Sequence, residues 1–247
     1  MEVLNTGHYL RSVKLLRDKI DYFNQYPFSL PAFRDLHCLE FHPQVTFIVG
    51  ENGTGKSTLL EAIAIAWGFN PEGGTCNFNF SSRNSHSELH EYIRLIRGAR
   101  KPRDGFFLRA ESFYNLATQI DELKVSDFYG GRSLHEQSHG EAFFSTFMNK
   151  FKGNGLYILD EPEAALSPMR QMAMISIIHD LANKHSQFII ATHSPIIMGY
   201  PNAIILQISN KGFDVVEYEK TEHYVVMTEF INNRKKMLDV LLDEKKY

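Results

Sequence analysis

Apolar residues along this chain occur either in short continuous runs or in longer segments with an apolar residue at every third or fourth position. The short runs are rich in β-branched and aromatic residues and predict buried strands over residues 9–15, 28–36, 45–49, 106–110, 156–159, 188–191, 203–208 and 213–218. The periodic segments predict helices over residues 58–68, 88–97, 168–184 and 222–242, with a further helical region over 112–152. Because strands alternate with helices through most of the chain, the pattern predicts an α/β fold.

A phosphate-binding motif joins the strand at 45–49 to the helix that follows it. Gly50, Gly55, Lys56 and Ser57 match the pattern G-x-x-x-x-G-K-[ST]. Glycines at this spacing let backbone N–H groups turn inward around phosphates, the lysine reaches the β- and γ-phosphates, and the serine hydroxyl ligates Mg²⁺. The motif therefore predicts binding of a nucleoside triphosphate with Mg²⁺. The residues expected to hold it are Gly50, Glu51, Asn52, Gly53, Thr54, Gly55, Lys56, Ser57 and Thr58.

Charged residues stand at the ends of two other predicted strands. Asp160 and Glu161 follow one apolar run, and His193 follows the next. Ligands of α/β sheets bind at the carboxyl ends of strands, so these side chains are predicted to meet the phosphate loop. Asp160 would hold Mg²⁺ from the side opposite Ser57, Glu161 would polarise an attacking water, and His193 would hydrogen-bond the γ-phosphate.

The segment GGRSLHEQSHGE, residues 130–141, allows two interpretations. In one, His135-Glu136-Gln137-Ser138-His139 matches H-E-x-x-H, the pattern of a zinc metallopeptidase. In the other, Ser138 caps a helix in which Gly140 permits a close backbone approach. Glycines on both sides of the segment favour a helix start, and no third zinc ligand is evident nearby. The zinc site is kept as the alternative.

Composition narrows the classes of partner. The formal net charge is −3 and the pI is near 6.4, which does not indicate a broad nucleic-acid-binding surface, although basic clusters at 97–103 and 234–236 leave nucleic acid open. Cys38 and Cys76 make neither a disulfide framework nor a metal-ligand set. The amino terminus is unlike a signal peptide and no window approaches the ~18 apolar residues of a membrane span, so we expect a cytoplasmic protein without membrane insertion.

Together these segments resemble a known family. GENGTGKST, SHGE, YILDEPEAALSP and ATHSP stand in the order of ATP-binding-cassette (ABC) ATPases, and the match spans nearly the whole chain. DEPEAALSP and ATHSP are most similar to the soluble RecF, OLD-nuclease and SMC-like branch, and to small stand-alone bacterial ATPases of AAA type. The resemblance implies one α/β domain over 1–247, a P-loop NTPase with a mixed sheet and helices on both faces. Its nucleotide-binding lobe would comprise about 1–110 and 153–247, and its helical signature subdomain about 112–152.

The resemblance also implies roles for individual residues. Ser138 and Gly140 of one protomer would close over ATP held by another, in an ATP-dependent homodimer. Glu161 would be the general base and His193 the switch histidine, and residues 164–167 would link the two sites.

The chain departs from the family at two places. His139 replaces a glycine of the usual LSGGQ signature. The glutamine that senses Mg²⁺ and water in the family has only Glu111 or Ser112 as its equivalent here. Tyr26 is a candidate for stacking on adenine.

The resemblance implies an ATPase, converting ATP and water to ADP and phosphate, that drives an unidentified protein partner in a process such as DNA repair or phage defence. Two further functions stay open besides the zinc metallopeptidase. One is the ATPase subunit of a membrane transporter, and the other is a nucleotide-dependent scaffold that does not hydrolyse.

Overall fold

The computed structural model describes residues 7–75, 87–123, 135 and 139–242. Its strands are β1 (Leu10–Leu15), β2 (Cys38–Glu40), β3 (Val45–Val49), β4 (Ile93–Arg97), β5 (Asp104–Arg109), β6 (Gly155–Asp160), β7 (Gln187–Ala191), β8 (Ala203–Ser209) and β9 (Gly212–Val216). Its α-helices are α1 (Pro31–Arg34), α2 (Lys56–Trp67), α3 (Phe113–Glu122), α4 (His139–Lys150), α5 (Pro168–Asn183), α6 (Pro195–Met198), α7 (Glu222–Asn232) and α8 (Arg234–Leu241).

The larger of two sheets has the strand order β5-β6-β7-β3-β8-β9. Neighbouring strands from β5 to β8 are parallel, and β9 closes the edge antiparallel to β8. The predicted strands at 45–49, 106–110, 156–159 and 188–191 and the hairpin at 203–218 are therefore confirmed, and together they build this mixed sheet.

Each face of the larger sheet carries its own apolar core. Successive side chains on a strand point to opposite faces, so Phe47 lies in one core and Ile48 in the other, both fully buried. Helices α3, α4 and α5 cover the Phe47 face, whereas α1, α2 and the smaller sheet cover the Ile48 face. Helices on both faces were predicted, and this prediction is confirmed.

The smaller sheet has the order β2-β1-β4, with antiparallel pairing throughout. It corrects the helix predicted over 88–97. A 3-10 turn occupies Glu88–Tyr92, and the chain then extends as β4, where Ile93 is buried and pairs with Leu15. The edge of β1 satisfies the backbone hydrogen bonds of β4, so tertiary pairing overrides the local helical pattern.

The strand predicted over 28–36 is also wrong, because this segment contains the short helix α1. Pro31 stands at its first turn, where a missing N–H costs nothing. Ala32 and Phe33 are fully buried, and the Ala32 N–H donates to the Thr54 carbonyl at 3.1 Å. The segment therefore serves as a support beneath the phosphate loop.

The remaining helical predictions agree with the described residues apart from one break. The region predicted over 112–152 contains α3 and α4, and its residues 124–134 and 136–138 lie outside the described part of the chain. The predicted helices at 58–68 and 168–184 are confirmed as α2 and α5. The predicted helix over 222–242 is divided at Asn233, whose φ of −123° and ψ of 33° are not helical. In the part of the chain that the structure describes, every helix is too short or too polar to cross a membrane.

Candidate functional site

The phosphate loop connects β3 to α2 in the predicted way. Gly55 ends the loop with a φ of 106°, a left-handed conformation that favours glycine, and a Cβ there would meet Ala32 Cβ at 3.0 Å. The buried Lys56 ammonium donates to the Gly50 and Glu51 carbonyls, each at 2.8 Å. Burial lowers the pKa of Lys56, and the nearby Glu161, Asp160 and Glu163 carboxylates oppose that shift. The loop is thus held by packing against α1 and by the hydrogen bonds of Lys56 to its own backbone carbonyls.

Strand register brings the charged strand ends to this loop. Arg109 on β5 is level with Asp160 on β6, Asp160 is level with Ala191 on β7, and Ala191 is level with Ile48 on β3. Because these four strands are parallel, their carboxyl ends form one edge, and the residues after them converge.

Ser57 and Asp160 face each other at this edge. The Ser57 hydroxyl donates to Asp160 Oδ1 at 3.0 Å, although the residues are 103 positions apart. Burial raises the pKa of Asp160 to about 7, against the opposing effects of Arg109 and of the Ser57 hydrogen bond. A hydroxyl beside a carboxylate is a donor set that suits Mg²⁺, which prefers hard oxygen ligands. The two residues therefore fit the predicted metal position.

Arg109 forms a charged cluster beside this pair that the sequence reasoning did not assign. Its guanidinium contacts the buried Glu61 carboxylate at 2.6 Å and the Glu111 carboxylate at 3.1 Å, and its Nε lies 3.8 Å from Asp160 Oδ2. The cluster fixes Asp160 relative to α2, on which Glu61 lies. A signal existed in the sequence, because an arginine ends the apolar run 106–108 as Asp160 ends the next one.

Glu161 and His193 lie on the opposite side of the site. Glu161 has a left-handed φ of 52°, and its N–H still donates to the Ala191 carbonyl at 2.9 Å. A non-glycine residue in this region carries backbone strain, which is common at functional sites. His193 Nε2 lies 3.7 Å from Glu161 Oε1 and has no hydrogen-bond partner among the described residues. Burial, with lesser effects of Lys56 and His223, lowers the pKa of His193 to about 4, so the imidazole is neutral at pH 7.

Two further residues hold His193 in position. The His193 backbone N–H donates to Glu163 Oε1 at 2.6 Å. His193 Nδ1 lies 3.0 Å from His223 Nε2 on α7. Sequence reasoning gave no role to His223, because no local pattern indicates that a residue of α7 contacts the end of β7.

Several of these groups line a cavity of about 540 Å³, whereas the buried Asp160 lies behind Ser57 and is not part of the lining. The cavity volume falls within the range of ordinary small-molecule pockets. The cavity combines most of the phosphate loop with the predicted base and switch histidine. Its lining comprises Tyr26, Leu30, Asn52, Gly53, Gly55, Lys56, Ser57, Thr58, Glu111, Glu161 and His193.

The lining of the cavity shows where the remaining candidate residues of the nucleotide site lie. Glu111 faces the cavity, whereas Ser112 is buried and donates to the Glu72 carbonyl, so Glu111 is the one of these two candidates that lines the site. Tyr26 lies at the cavity with 64% of its surface exposed, as a residue that stacks on a base would. Thr54 turns away and donates to the Glu51 carbonyl at 2.8 Å.

The signature segment is described only from its helix onward. Ser138 lies outside the described residues, as do Glu136 and Gln137 of the zinc pattern. Gly140 is buried in the first turn of α4, and a Cβ on it would overlap the carbonyl oxygen of Ala165. The close backbone approach predicted for this glycine is therefore confirmed, with the loop after β6 as the neighbour.

The structure describes one histidine of the zinc pattern in detail. His135 Nε2 lies 3.1 Å from the Thr118 hydroxyl, and its ring packs against Tyr114 with 4.8 Å between centroids. Within the ranges that the structure describes, three or more His, Cys, Asp or Glu side chains nowhere gather as a metal site would require. The zinc interpretation gains no support from these contacts.

Comparison with known proteins gives a family and several distant relatives. The family described as AAA domain matches residues 19–150, more than half of the chain, and a second, described as AAA ATPase domain, matches 139–198. A ribose import ATP-binding protein of Yersinia pestis is 24% identical over 184 residues, which cover 66% of this chain. The chain spans only 36% of that protein's length. A xylose/arabinose import ATP-binding protein of Sulfolobus acidocaldarius is 26% identical, over 76% of this chain and 84% of that protein.

Solved structures resemble the chain more loosely. A putative metal-chelate type ABC transporter in an inward-facing conformation is 18% identical, with a TM-score of 0.48 over 88% of this chain and 87% of that one. The SMC head domain from Thermotoga maritima is 17% identical, with a TM-score of 0.44 over 84% of this chain and 98% of that one. The assignment to a family therefore rests on the AAA domain match. The chain belongs to the AAA domain family, and its motifs stand in the order that the sequence analysis compared with ABC ATPases.

Proposed function

We propose that this protein is an ATPase that binds ATP with Mg²⁺ in the 540 Å³ cavity and hydrolyses it to switch a partner protein between two states. The observation that carries the proposal is the convergence of Lys56, Ser57, Glu161 and His193 on that cavity. Lys56 binds the β- and γ-phosphates, and Ser57 and Asp160 would hold Mg²⁺, which would neutralise charge on the phosphates.

In this proposal Glu161 is the general base. Its carboxylate is 40% exposed, faces the cavity, and lies within 3.7 Å of His193 Nε2. It accepts a proton from the attacking water while the oxygen of that water attacks the γ-phosphorus and the bond to the β-phosphate oxygen breaks. Neutral His193 donates from Nε2 to a γ-phosphate oxygen, which also reports whether that phosphate is present.

We further propose that the complete site forms between two copies of the chain. The described signature residue Gly140 is absent from the cavity lining and packs instead on Ala165, beyond Glu161 in sequence. The assembly of two copies rests on the family resemblance, in which the signature of one chain serves the nucleotide of another. Ser138 and Gly140 of one copy then close over the ATP of the other. We retain the division into a nucleotide-binding lobe and a helical signature subdomain as part of this proposal.

The test of assembly compares three samples by size-exclusion chromatography with light scattering. Glu161→Gln with ATP and Mg²⁺ is expected to elute as a dimer, and the same variant with ADP as a monomer. Lys56→Ala/Glu161→Gln is the matched control, which keeps the trapped base but loses the phosphate contact and is expected to stay monomeric with ATP. A monomer in all three samples would contradict the homodimer.

The partner is unidentified, and we place this switch among ATPases of DNA repair or phage defence on the resemblance alone. The ATPase subunit of a transporter is the second candidate, because the curated relatives are import ATP-binding proteins. Affinity capture with ATP-trapped Glu161→Gln separates the two, since a membrane protein retained with ATP and released with ADP would indicate the transporter. Phosphate release by wild type that equals release by Glu161→Gln would instead favour a scaffold that does not hydrolyse.

A further inference from the structure

A second cavity, of about 640 Å³, lies at the far end of α2 from the phosphate loop. Lys56 begins α2 at the nucleotide cavity, and Trp67 ends it at this one. A 12-residue helix is about 18 Å long, so the two cavities are separate sites. The wall of the second cavity is formed by Trp67, Phe69, Thr75, residues 97–105 and Lys150.

This cavity concentrates positive charge in a chain whose formal net charge is −3. Five cationic side chains line it, Arg97, Arg100, Lys101, Arg103 and Lys150, with Asp104 as the carboxylate of the wall. The Asp104 carboxylate already accepts hydrogen bonds from the Tyr157 hydroxyl at 2.8 Å and the Lys152 N–H at 3.2 Å.

Three of these cations are not neutralised by any carboxylate among the described residues. Arg100, Lys101 and Arg103 are exposed and form no ion pair with any residue in the described part of the chain. Like charges gathered on a concave wall repel one another and focus their field into the cavity. Such an arrangement attracts a ligand with several negative charges.

The aromatic part of the wall adds a second kind of contact. The Arg97 guanidinium lies over the Trp67 ring, 4.3 Å from its centroid, and it also approaches the Ala66 and Trp67 carbonyls at 3.4 Å. Arg97 is exposed, so its outer face is available to a flat ring. Nucleic-acid bases stack on arginine planes and aromatic side chains in this way.

We propose that this cavity binds single-stranded nucleic acid. Successive phosphates contact Arg100, Lys101 and Arg103, and a base stacks on the Arg97–Trp67 pair. Several cations in a row favour a chain of phosphates over one phosphate group, and the stacked pair favours a nucleotide over an acidic peptide. A duplex keeps its bases inside and is too wide for a concave pocket of this volume, so a single strand fits better.

Trp67 is the single tryptophan of the chain, so its fluorescence reports directly on this cavity. The full-length protein is titrated with a single-stranded oligo-dT probe, and binding is followed by tryptophan quenching and by anisotropy of a labelled probe. The test variant is Arg100→Ala/Lys101→Ala/Arg103→Ala. The matched control is Arg234→Ala/Lys235→Ala/Lys236→Ala, which removes the same charge from exposed positions on α8.

We expect the wild type and the α8 control to bind oligo-dT alike, and the cavity variant to bind at least about tenfold more weakly. The slope of log affinity against log salt should fall by about 2 in the cavity variant, since single strands contribute about 0.7 for each phosphate contact. Both variants should keep wild-type ATPase activity, because neither touches the nucleotide cavity, so loss of ATPase activity would be a separate failure.

Three results would overturn the proposal. One is equal affinity of the cavity variant and the α8 control for oligo-dT. Another is binding of oligo-dT without a change in Trp67 fluorescence. The third is equal or tighter binding of a duplex, pyrophosphate or a polyglutamate peptide, any of which would show that the wall recognises negative charge rather than a single strand.

Discussion

His193 Nδ1 lies 3.0 Å from His223 Nε2, which joins the strand end of β7 to helix α7. The pKa values of both residues are lowered, first by burial, so two neutral rings share one proton in this contact. If His223 Nε2–H donates to His193 Nδ1, the single ring proton of His193 must lie on Nε2. The Glu161 carboxylate is 3.7 Å from that nitrogen. The carboxylate favours that tautomer, so His223 positions the nitrogen that meets the γ-phosphate.

Removing this contact should slow hydrolysis more than binding. We expect His223→Ala to reduce kcat by about tenfold to a hundredfold with little change in the Kd for ATP, because His193 loses the partner that fixes its ring. His223→Gln keeps a side-chain N–H donor and should recover most of the rate. The check is steady-state kinetics across pH for both variants. Equal kcat values for His223→Ala and wild type would remove this positioning role.

The two neighbouring glutamates should differ in their effects. Glu161→Gln is expected to keep ATP affinity and to lose about 10²- to 10⁴-fold in hydrolysis, the usual contribution of a positioned base. Glu163 is half-buried, and its carboxylate accepts the His193 backbone N–H at 2.6 Å. Glu163→Gln keeps an acceptor oxygen there and should lose far less. Phosphate release under single-turnover conditions measures both, and a larger loss in Glu163→Gln would reverse the assignment.

Nucleotide binding should depend on the ammonium of Lys56. Hydrogen bonds to charged groups contribute about 1.5–3 kcal/mol each, so Lys56→Ala is expected to weaken Mg²⁺–ATP binding by about a hundredfold or more. The variant also leaves the Gly50 and Glu51 carbonyls without their donor. Calorimetry with ATP and Mg²⁺ measures the effect, and Lys211→Ala, an exposed position between β8 and β9, is the control. Wild-type affinity in Lys56→Ala would contradict the central assignment.

Metal-dependent binding should rise with pH. Burial raises the pKa of Asp160 from 3.8 to about 7, so the folded protein holds a proton there that Mg²⁺ must displace. Affinity for Mg²⁺–ATP should therefore increase by about tenfold per pH unit below about pH 7 and level off above it, with proton uptake by the buffer. The sign for stability is opposite, because the unfolded carboxyl loses its proton near pH 3.8 while the folded one keeps it to about pH 7. The free energy of unfolding therefore falls as pH rises from about 4 to about 7 and stays lower above it.

The measurement for Asp160 is calorimetry in two buffers of different ionisation enthalpy across that pH range. Asp160→Asn has no proton to release at this position and serves as the control for titration of ATP itself. His193 titrates near pH 4, at the lower limit of this range, so the slope is read well above pH 4. A wild-type affinity profile parallel to that of Asp160→Asn would contradict the prediction.

Gly140→Ala should loosen the contact between α4 and the loop that follows β6. The new Cβ would overlap the Ala165 carbonyl oxygen, so the start of α4 must shift, and overpacking of this kind costs about 1–3 kcal/mol of unfolding free energy. Gly199→Ala is the control, because its Cβ would meet its nearest atom at 3.2 Å. Urea unfolding compares the two, and equal midpoints would show that the close approach has no energetic weight.

The sequence by itself determined the phosphate loop, the strands of the larger sheet and the order of the motifs. Each of these depends on patterns among residues that are neighbours in the sequence. The run 45–49 and the glycine spacing before Lys56 are local patterns that impose a buried strand and a turn open to phosphate. Asp160, Glu161 and His193 were found in the same way, because a charged residue that ends an apolar strand is visible in the sequence.

Only the tertiary structure decided which of these residues meet, and which unassigned residues support them. Ser57 and Asp160 are 103 positions apart, Arg109 and Glu61 are 48 apart, and His193 and His223 are 30 apart. Contacts over such distances depend on strand order and register, which no local period encodes. The same reason explains the two wrong predictions of secondary structure. Pairing with β1 makes 93–97 a strand, and packing against the phosphate loop accompanies the helix at Pro31–Arg34.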